Sequence, residues 1–398
     1  MNASQRRDIR LIVLFRALSL IGDELALFSL MVHFAHSPQR WMVGALAFVN
    51  AAPPVLLTPI AGLVIDRFPA RRLLATIGLL QAIVIMGLLV VSSPIAILAF
   101  MVVLGCGVAF TQPGYGALVA HITPADDMVA TQGRMQSIST VSAMLGPVLA
   151  GLVYGTYGAH AAFAIDAVTF LLVGTATFFL TNDRRPERLP AGEKETGAVT
   201  AGVRWLFGDP LLRPVVIETM IFVFAINMIT VSEVVLITKT MHASATTYGL
   251  VGATYGVGNL LGSLLATKLP QGDMNMVRSL MVGTVLIGGG FGIIGWLPSV
   301  GWVFPFMIIG GIGNGIANVA AMSLFALRIP PEIQGRGFAA VGAVFTGMSL
   351  CSMAFGGVFI SALPARTIFK IAGIASLAAV GLFGPVALRQ AKRVTQGA

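Results

Sequence analysis

Long apolar runs broken by short polar punctuation dominate this chain from its tenth residue onward. A helix needs roughly 20 apolar residues to cross a bilayer. At that scale the pattern predicts twelve membrane helices, over 11–34, 41–65, 71–92, 94–119, 129–155, 159–181, 211–238, 245–267, 277–297, 301–327, 336–362 and 366–388. Membrane β-strands would be about 10 residues long and alternating. Nothing here alternates in that way, and a hydrocarbon solvent leaves helices as the only other spanning solution. The polar, basic stretch Met1–Arg10 precedes a run too long for a signal-peptide core, so that run is read as the first membrane helix.

Composition sharpens this picture. Hydrophobic residues make up 56% of the chain and charged residues 10%, against roughly 25% charged in soluble domains. With a mean hydropathy of +0.89, the chain has too little charge to clothe a water-facing surface. Its charges also orient it. If the N-terminus is cytoplasmic, inner segments hold twenty Lys and Arg, while outer ones hold four: Arg40, Lys239, Arg366 and Lys370. The positive-inside rule therefore predicts both termini inside and an even number of spans. The net charge of +9 is loop charge of this kind. No basic stripe with interleaved aromatics suggests a nucleic-acid partner. Cys106 and Cys351 each lie in an apolar span and make no disulfide framework. The five histidines have no metal-ligand spacing, and no phosphate loop or nucleophile elbow occurs. No cofactor or metal is expected.

Residues 182–210 form the one long polar segment. They divide the chain into a first half (1–181), a linker and a second half (211–398), six spans on each side. The linker ends in Val203-Arg-Trp-Leu-Phe-Gly-Asp-Pro, a pattern that predicts a short amphipathic helix on the inner membrane surface. The halves echo one another. Pro124-Ala-Asp-Asp…Gly133-Arg134 precedes the fifth span and Pro331-Glu-Ile-Gln-Gly335-Arg336 the eleventh; Gly44-Ala-Leu in the second is matched by Gly249-Leu-Val in the eighth.

Between the second and third spans stands Gly62-Leu-Val-Ile-Asp66-Arg67-Phe-Pro-Ala-Arg71-Arg72. Gly62 would let its helix approach a neighbour closely, and Asp66 is suited to face the positive end of a helix. The stretch resembles the loop signature of the major facilitator superfamily of transporters, with Pro69 in place of the usual second glycine. The resemblance implies a conformational latch: Asp66 against the start of the eleventh span near Arg336, with Arg67, Arg71 and Arg72 paired to cytoplasmic acids such as Asp126 and Asp127. The equivalent loop of the second half, Lys268-Leu-Pro-Gln-Gly-Asp273, is degraded. In the fifth span Gly133, Ser142, Gly146-Pro147, Ala150 and Gly151 resemble the antiporter motif of the export branch, with Ser142 and Ala150 replacing glycines. Ala162-Phe-Ala-Ile-Asp166-Ala resembles a sixth-span pattern of bacterial macrolide and siderophore exporters. The family's Arg-x-x-Gln-Gly proton motif is missing from the fourth span, where the register reads Met101-Val-Val-Leu104-Gly105.

Ionisable groups inside spans are costly and usually functional. Arg16 and Asp23 lie seven residues apart and so share a face, roughly 10 Å apart along the axis. Glu24 points about 100° away. Both acids fall near the mid-membrane and suit proton loading; pairing with a cationic substrate or a permanent ion pair with an arginine are the alternatives. Asp166 suits proton handling or helix tethering. Glu218 lies about two turns from the cytoplasmic end of its span, where its side chain can reach the interface, and Glu233 lies towards the outer end. Asn227, Gln112 with Tyr115, Tyr248 with Tyr255 and Asn259, and Asn314 with Asn318 form polar stripes suited to lining a cavity or to bonding helices together.

The resemblance covers the whole chain. It implies an all-α integral membrane fold of twelve transmembrane helices in two pseudo-symmetric six-helix domains that rock about a central site. It also implies a monomeric proton-coupled exporter in the bacterial cytoplasmic membrane, its partners a small amphipathic substrate, protons and membrane lipids. A lysophospholipid transporter of the same fold also fits the Gly22-Asp23 start. A membrane-embedded enzyme would need a catalytic cluster that the sequence lacks, and a channel or receptor would show no proton-dependent accumulation.

Overall fold

A computed structural model describes residues 3–183, 198–270, 272–330 and 333–397. Among them the chain is helical, with no strand: α1 Ala3–His36, α2 Trp41–Arg67, α3 Ala70–Gly87, α4 Pro94–Ile122, α5 Ala125–Phe178, α6 Ala198–Gly208, α7 Leu212–Val234, α8 Ala245–Ala266, α9 Asp273–Ile294, α10 Val303–Arg328, α11 Gln334–Ala362 and α12 Ala365–Gly397. One π-helical turn, Val235–Thr240, extends α7. Ten of the stretches are long and apolar enough to cross a membrane. The apolar part of α5, Ala130–Phe178, is 49 residues long and breaks at Gly158, whose φ of 77° only glycine adopts without strain, so it supplies two spans. With α1, whose apolar run carries Arg16, Asp23 and Glu24, the described residues hold the twelve spans expected. Exposed Ile83, Val90, Ile95, Ile374 and Leu382 show the lipid-facing side of this arrangement.

The first and last helices outrun their predicted limits most. The first starts at residue 3 and the last continues to residue 397, because the polar ends 3–10 and 389–393 contain no helix breaker and the cations Arg389, Lys392 and Arg393 suit a C-terminal end. The linker helix forms as α6, starting at Ala198 rather than near Val203, and packs along α11. Gly202 makes this contact close: a side chain there would run into the Arg336 carbonyl and Ala340.

The chain forms two compact units. Unit 1 comprises residues 1–37, 45–192 and 244–250. In it α1 lies along α5, and α3 lies between α4 and α5. Ile9, Ile12, Leu74, Tyr115, Leu118, Val173 and Leu180 form a buried core at one end. Beside it Asp8, fully buried, accepts bonds from the backbone N–H groups of Thr181 (2.9 Å) and Asn182 (2.7 Å) and from Asn182 Nδ2 (2.9 Å). The start of α1 is thereby tied to the end of the sixth span.

Unit 2 comprises residues 38–44, 193–243 and 251–398. α9 packs between α10 and α12, and α7 packs on α11 and α12. α8 and α10 meet backbone to backbone at two small-residue pairs, Gly258 with Gly262 and Gly311 with Gly315. Side chains at Gly258 and Gly262 would strike the carbonyls of Ile308 and Ile312. Asp209 caps α7 through the N–H groups of Leu211 (2.8 Å) and Leu212 (2.9 Å), and it binds Arg328 at 2.7 Å. Arg328 also reaches Asp273 at 3.5 Å. The degraded loop of the second half thus retains a working acid, held at the start of α9 just after Gly272 (φ 106°).

The echoing glycines play parallel parts. In unit 2, Gly44 sits on the backbone of Gly357; in unit 1, Gly249 sits on the carbonyl of Pro147.

Candidate functional site

Within unit 1, α1, α2, α3, α4 and the second arm of α5 enclose a cavity of about 210 Å³. Three carboxylates line it, Asp23 and Glu24 from α1 and Asp166 from α5, together with Asn50, Gln81, Leu104 and Phe170. The 100° between Asp23 and Glu24 does not separate them, because the cavity wraps around α1. Asp166 is buried and anchored, its backbone and side-chain oxygens accepting Thr169 Oγ1 at 2.8 and 3.2 Å. Among the described residues Asp23 and Glu24 have no hydrogen bond and no cation within 4 Å; the ion pairs found lie elsewhere. The permanent Asp23–arginine pair is therefore not formed. Arg16 instead sits 5.8 Å above the ring of Tyr115, whose hydroxyl meets Thr177 Oγ1 at 2.8 Å. It acts on Asp23 through its field, and Asp23 in turn acts on Asp166 and Glu24.

Small residues bring these acids together. Gly22 lies under Asp166: a Cβ there would collide with Asp166 Oδ1 and Thr169 Oγ1. Gly146 lies under Glu24, whose Cγ and Cβ would be 2.8 and 2.9 Å from an added Cβ. Ser142 Oγ donates to the Ala17 carbonyl at 3.5 Å. The first arm of α5 thus seats α1 through Ser142 and Gly146. Gly151 of the same motif faces the carbonyl of Ala245 and Thr246, whereas Gly133 faces open space. Gly22→Val is expected to displace Asp166 and lower transport several-fold at unchanged expression, while Gly133→Val changes neither. Transport assays on membranes with matched protein levels test this.

Other expected site residues are dispersed. In unit 1 the Tyr248 ring stacks on Phe28 at 4.9 Å. Gln112 is exposed while Tyr115 is buried, so these two share no cavity wall. In unit 2, Tyr255 packs on Phe291 at 5.8 Å and lies within electrostatic range of Glu233. Asn227 Nδ2 donates to the Val223 carbonyl at 2.8 Å and to Ser349 Oγ at 3.2 Å, joining α7 to α11. The backbone of Asn259 packs on Gly311 and Gly315, Asn314 is half-buried and Asn318 is exposed. Glu218 does not reach the interface; it is fully buried, one oxygen bonded by Thr219 Oγ1 at 3.3 Å and Thr284 close to the carboxylate. Neither Glu218 nor Glu233 lines the carboxylate cavity.

The latch residues also depart from expectation. Among the described residues of its own unit, Gly62 has open space where a Cβ would stand. Arg71 donates to the Leu180 carbonyl at 2.6 Å, and its backbone N–H donates to Asp183 at 2.9 Å. It thus serves the end of the sixth span, since Leu180 and Asp183 lie against the start of α3. Arg67 and Arg72 are exposed. The side chains of Asp66 and Asp126 lie outside the described residues, so the expected contact of Asp66 with the eleventh span does too.

Asn50 and Gln81 were not singled out from sequence. Each is a lone amide in an apolar run, a visible signal that does not say which neighbours it meets.

The Major Facilitator Superfamily model matches residues 13–235 and 215–397. An MFS-type transporter of Bacillus subtilis, YfiS, is 23% identical over 81% of this chain and 79% of its own length. Macrolide efflux protein A of Enterococcus faecalis is 20% identical, covering 77% of this chain and 97% of that protein. Lysophospholipid transporter LplT of an Enterobacter strain is 26% identical over 82% of this chain and 80% of its own. In fold, the nucleoside transporter NupG aligns over 95% of this chain and 99% of its own with a TM-score of 0.76 at 14% identity. These relatives are transporters, and the membrane-enzyme alternative falls away. A twelve-span helical fold, the match over both halves and the likeness to macrolide efflux proteins lead to one statement: the chain belongs to the Major Facilitator Superfamily and is a multi-pass membrane transporter.

Proposed function

We propose that the protein is a proton-coupled exporter of a small amphipathic molecule, with Asp23, Glu24 and Asp166 as the coupling acids. One observation carries this reading: three carboxylates share a single cavity in which, among the described residues, Asp23 and Glu24 have no cation within 4 Å. Acids at membrane depth that make no direct ion pair are matched to a mobile cation. A proton entering from outside and a departing substrate would take turns there. The likeness to macrolide efflux protein A supports the export direction. The Lys and Arg asymmetry supports a bacterial cytoplasmic membrane location with both termini inside, and we take the working unit as a monomer in contact with lipid. The likeness to LplT favours a second reading, lysophospholipid movement.

Proteoliposomes loaded with a pH-sensitive dye separate the two. Proton antiport gives a ligand-driven, gradient-dependent signal with macrolides, lipophilic cations or catecholate siderophores. Lysophospholipid translocation without proton movement would replace the first reading with the second.

A further inference from the structure

Unit 1 holds a second hollow that the coupling mechanism does not use. It is an apolar groove of about 280 Å³ between α2, α3 and α4, walled by Val64, Leu80, Val84, Val103 and Phe110. Leu80 and Val103 at its lip are 54% and 53% exposed, so the groove opens on the lipid-facing side. Its floor is Gln81, and Gln81 also lines the carboxylate cavity. One buried amide is thus common to the apolar groove and the cavity that holds three acids.

Gln81 is lightly held. Its Nε2 donates to the Leu104 carbonyl at 3.3 Å, the long end of hydrogen-bond range. Gly107 makes room for it, since a Cβ there would stand 2.6 Å from Gln81 Nε2. A buried amide with one long bond can swing without breaking a network. Each hollow alone is smaller than the roughly 300–1,000 Å³ of a drug-sized site. Joined past Gln81 they reach that range.

We propose that the α2–α3–α4 groove is a binding site for the hydrocarbon part of an amphipathic cation, with Gln81 as the gate through which its charged head reaches Asp23, Glu24 and Asp166. The occupant follows from the two linings: the groove presents only aliphatic and aromatic surface besides Gln81, Cys106 and Gly107, and the cavity beyond presents three carboxyl groups. A chain in the groove stays in a hydrocarbon-like setting while its head leaves the bilayer. Without the groove, the chain would be dragged into a polar cavity behind its head. That penalty is about fourfold in affinity per methylene, and a cation with no chain escapes it. The inference rests on the carboxylate cavity as the ligand site.

The test is equilibrium binding of dodecyltrimethylammonium and tetramethylammonium to the full chain in lipid nanodiscs. Val103→Trp fills the groove at its exposed lip; Ile83→Trp puts the same ring on the lipid face of α3, outside the groove. Val103→Trp is expected to weaken dodecyltrimethylammonium binding at least about tenfold, the effect of roughly two displaced methylenes, and to leave tetramethylammonium unchanged. Ile83→Trp is expected to change neither. Equal losses for both cations in Val103→Trp, no loss for either, or a wild-type protein that binds neither would overturn the proposal. Binding is read without a proton gradient, so loss of this site and loss of proton coupling in vesicles are separate results.

Discussion

Asp23→Asn is expected to bring pH-gradient-driven transport down to the level of empty vesicles while the protein still folds and inserts. Asparagine keeps the size and shape of the side chain but cannot take up and release a proton. Asp23 makes no hydrogen bond or ion pair within 4 Å among the described residues, so its replacement orphans no partner. A charged carboxyl at the centre of a membrane helix costs about 2.5–3.5 kcal/mol, so the amide is expected to match or exceed wild-type thermal stability. Arg16 stays in place through Tyr115, as that contact does not involve Asp23. Two measurements on one preparation decide the matter: dye response to an imposed pH gradient, and the thermal midpoint in detergent. Full transport in Asp23→Asn would move the coupling to Glu24 or Asp166. Full transport in a variant lacking all three carboxylates would end the antiport reading.

The second large effect is on stability. Gly262→Leu is expected to destabilise unit 2 by roughly 3 kcal/mol, the upper end of what overpacking costs. Flexible side chains can make way for a new methyl group, but the obstacle at Gly262 is the Ile312 carbonyl and its Cα, all backbone. α8 and α10 would have to separate along their crossing, and the Gly311 and Gly315 contacts would separate with them. In a membrane this crossing is held by van der Waals contact and lipid entropy, with no water-driven term to compensate. Gly289→Leu is the control, since a Cβ at Gly289 meets open space. Melting curves of the two variants should differ by several degrees or more; coincident curves would mean that the close crossing contributes nothing to stability.

The sequence by itself determined the solvent, the element type and the count. Charge at 10% and apolar runs of membrane length leave only helices, because a bilayer satisfies no backbone group from outside. The separation of the spans 129–155 and 159–181, a helix in the linker and the echo of Gly44 with Gly249 were all visible as local pattern. So were the three acids, since a charge in an apolar run is conspicuous whatever surrounds it. Tertiary structure alone decided which of them meet. Asp166 is more than 140 residues from Asp23, and only the packing of α5 on α1 over Gly22 and Gly146 brings both to one cavity. Packing within unit 1 assigned Arg71 to Leu180 and Asp183, and packing within unit 2 enclosed Glu218. Periodicity states which face of a helix a residue occupies. What stands opposite that face depends on the path of distant segments, and that information is not local to any stretch of the chain.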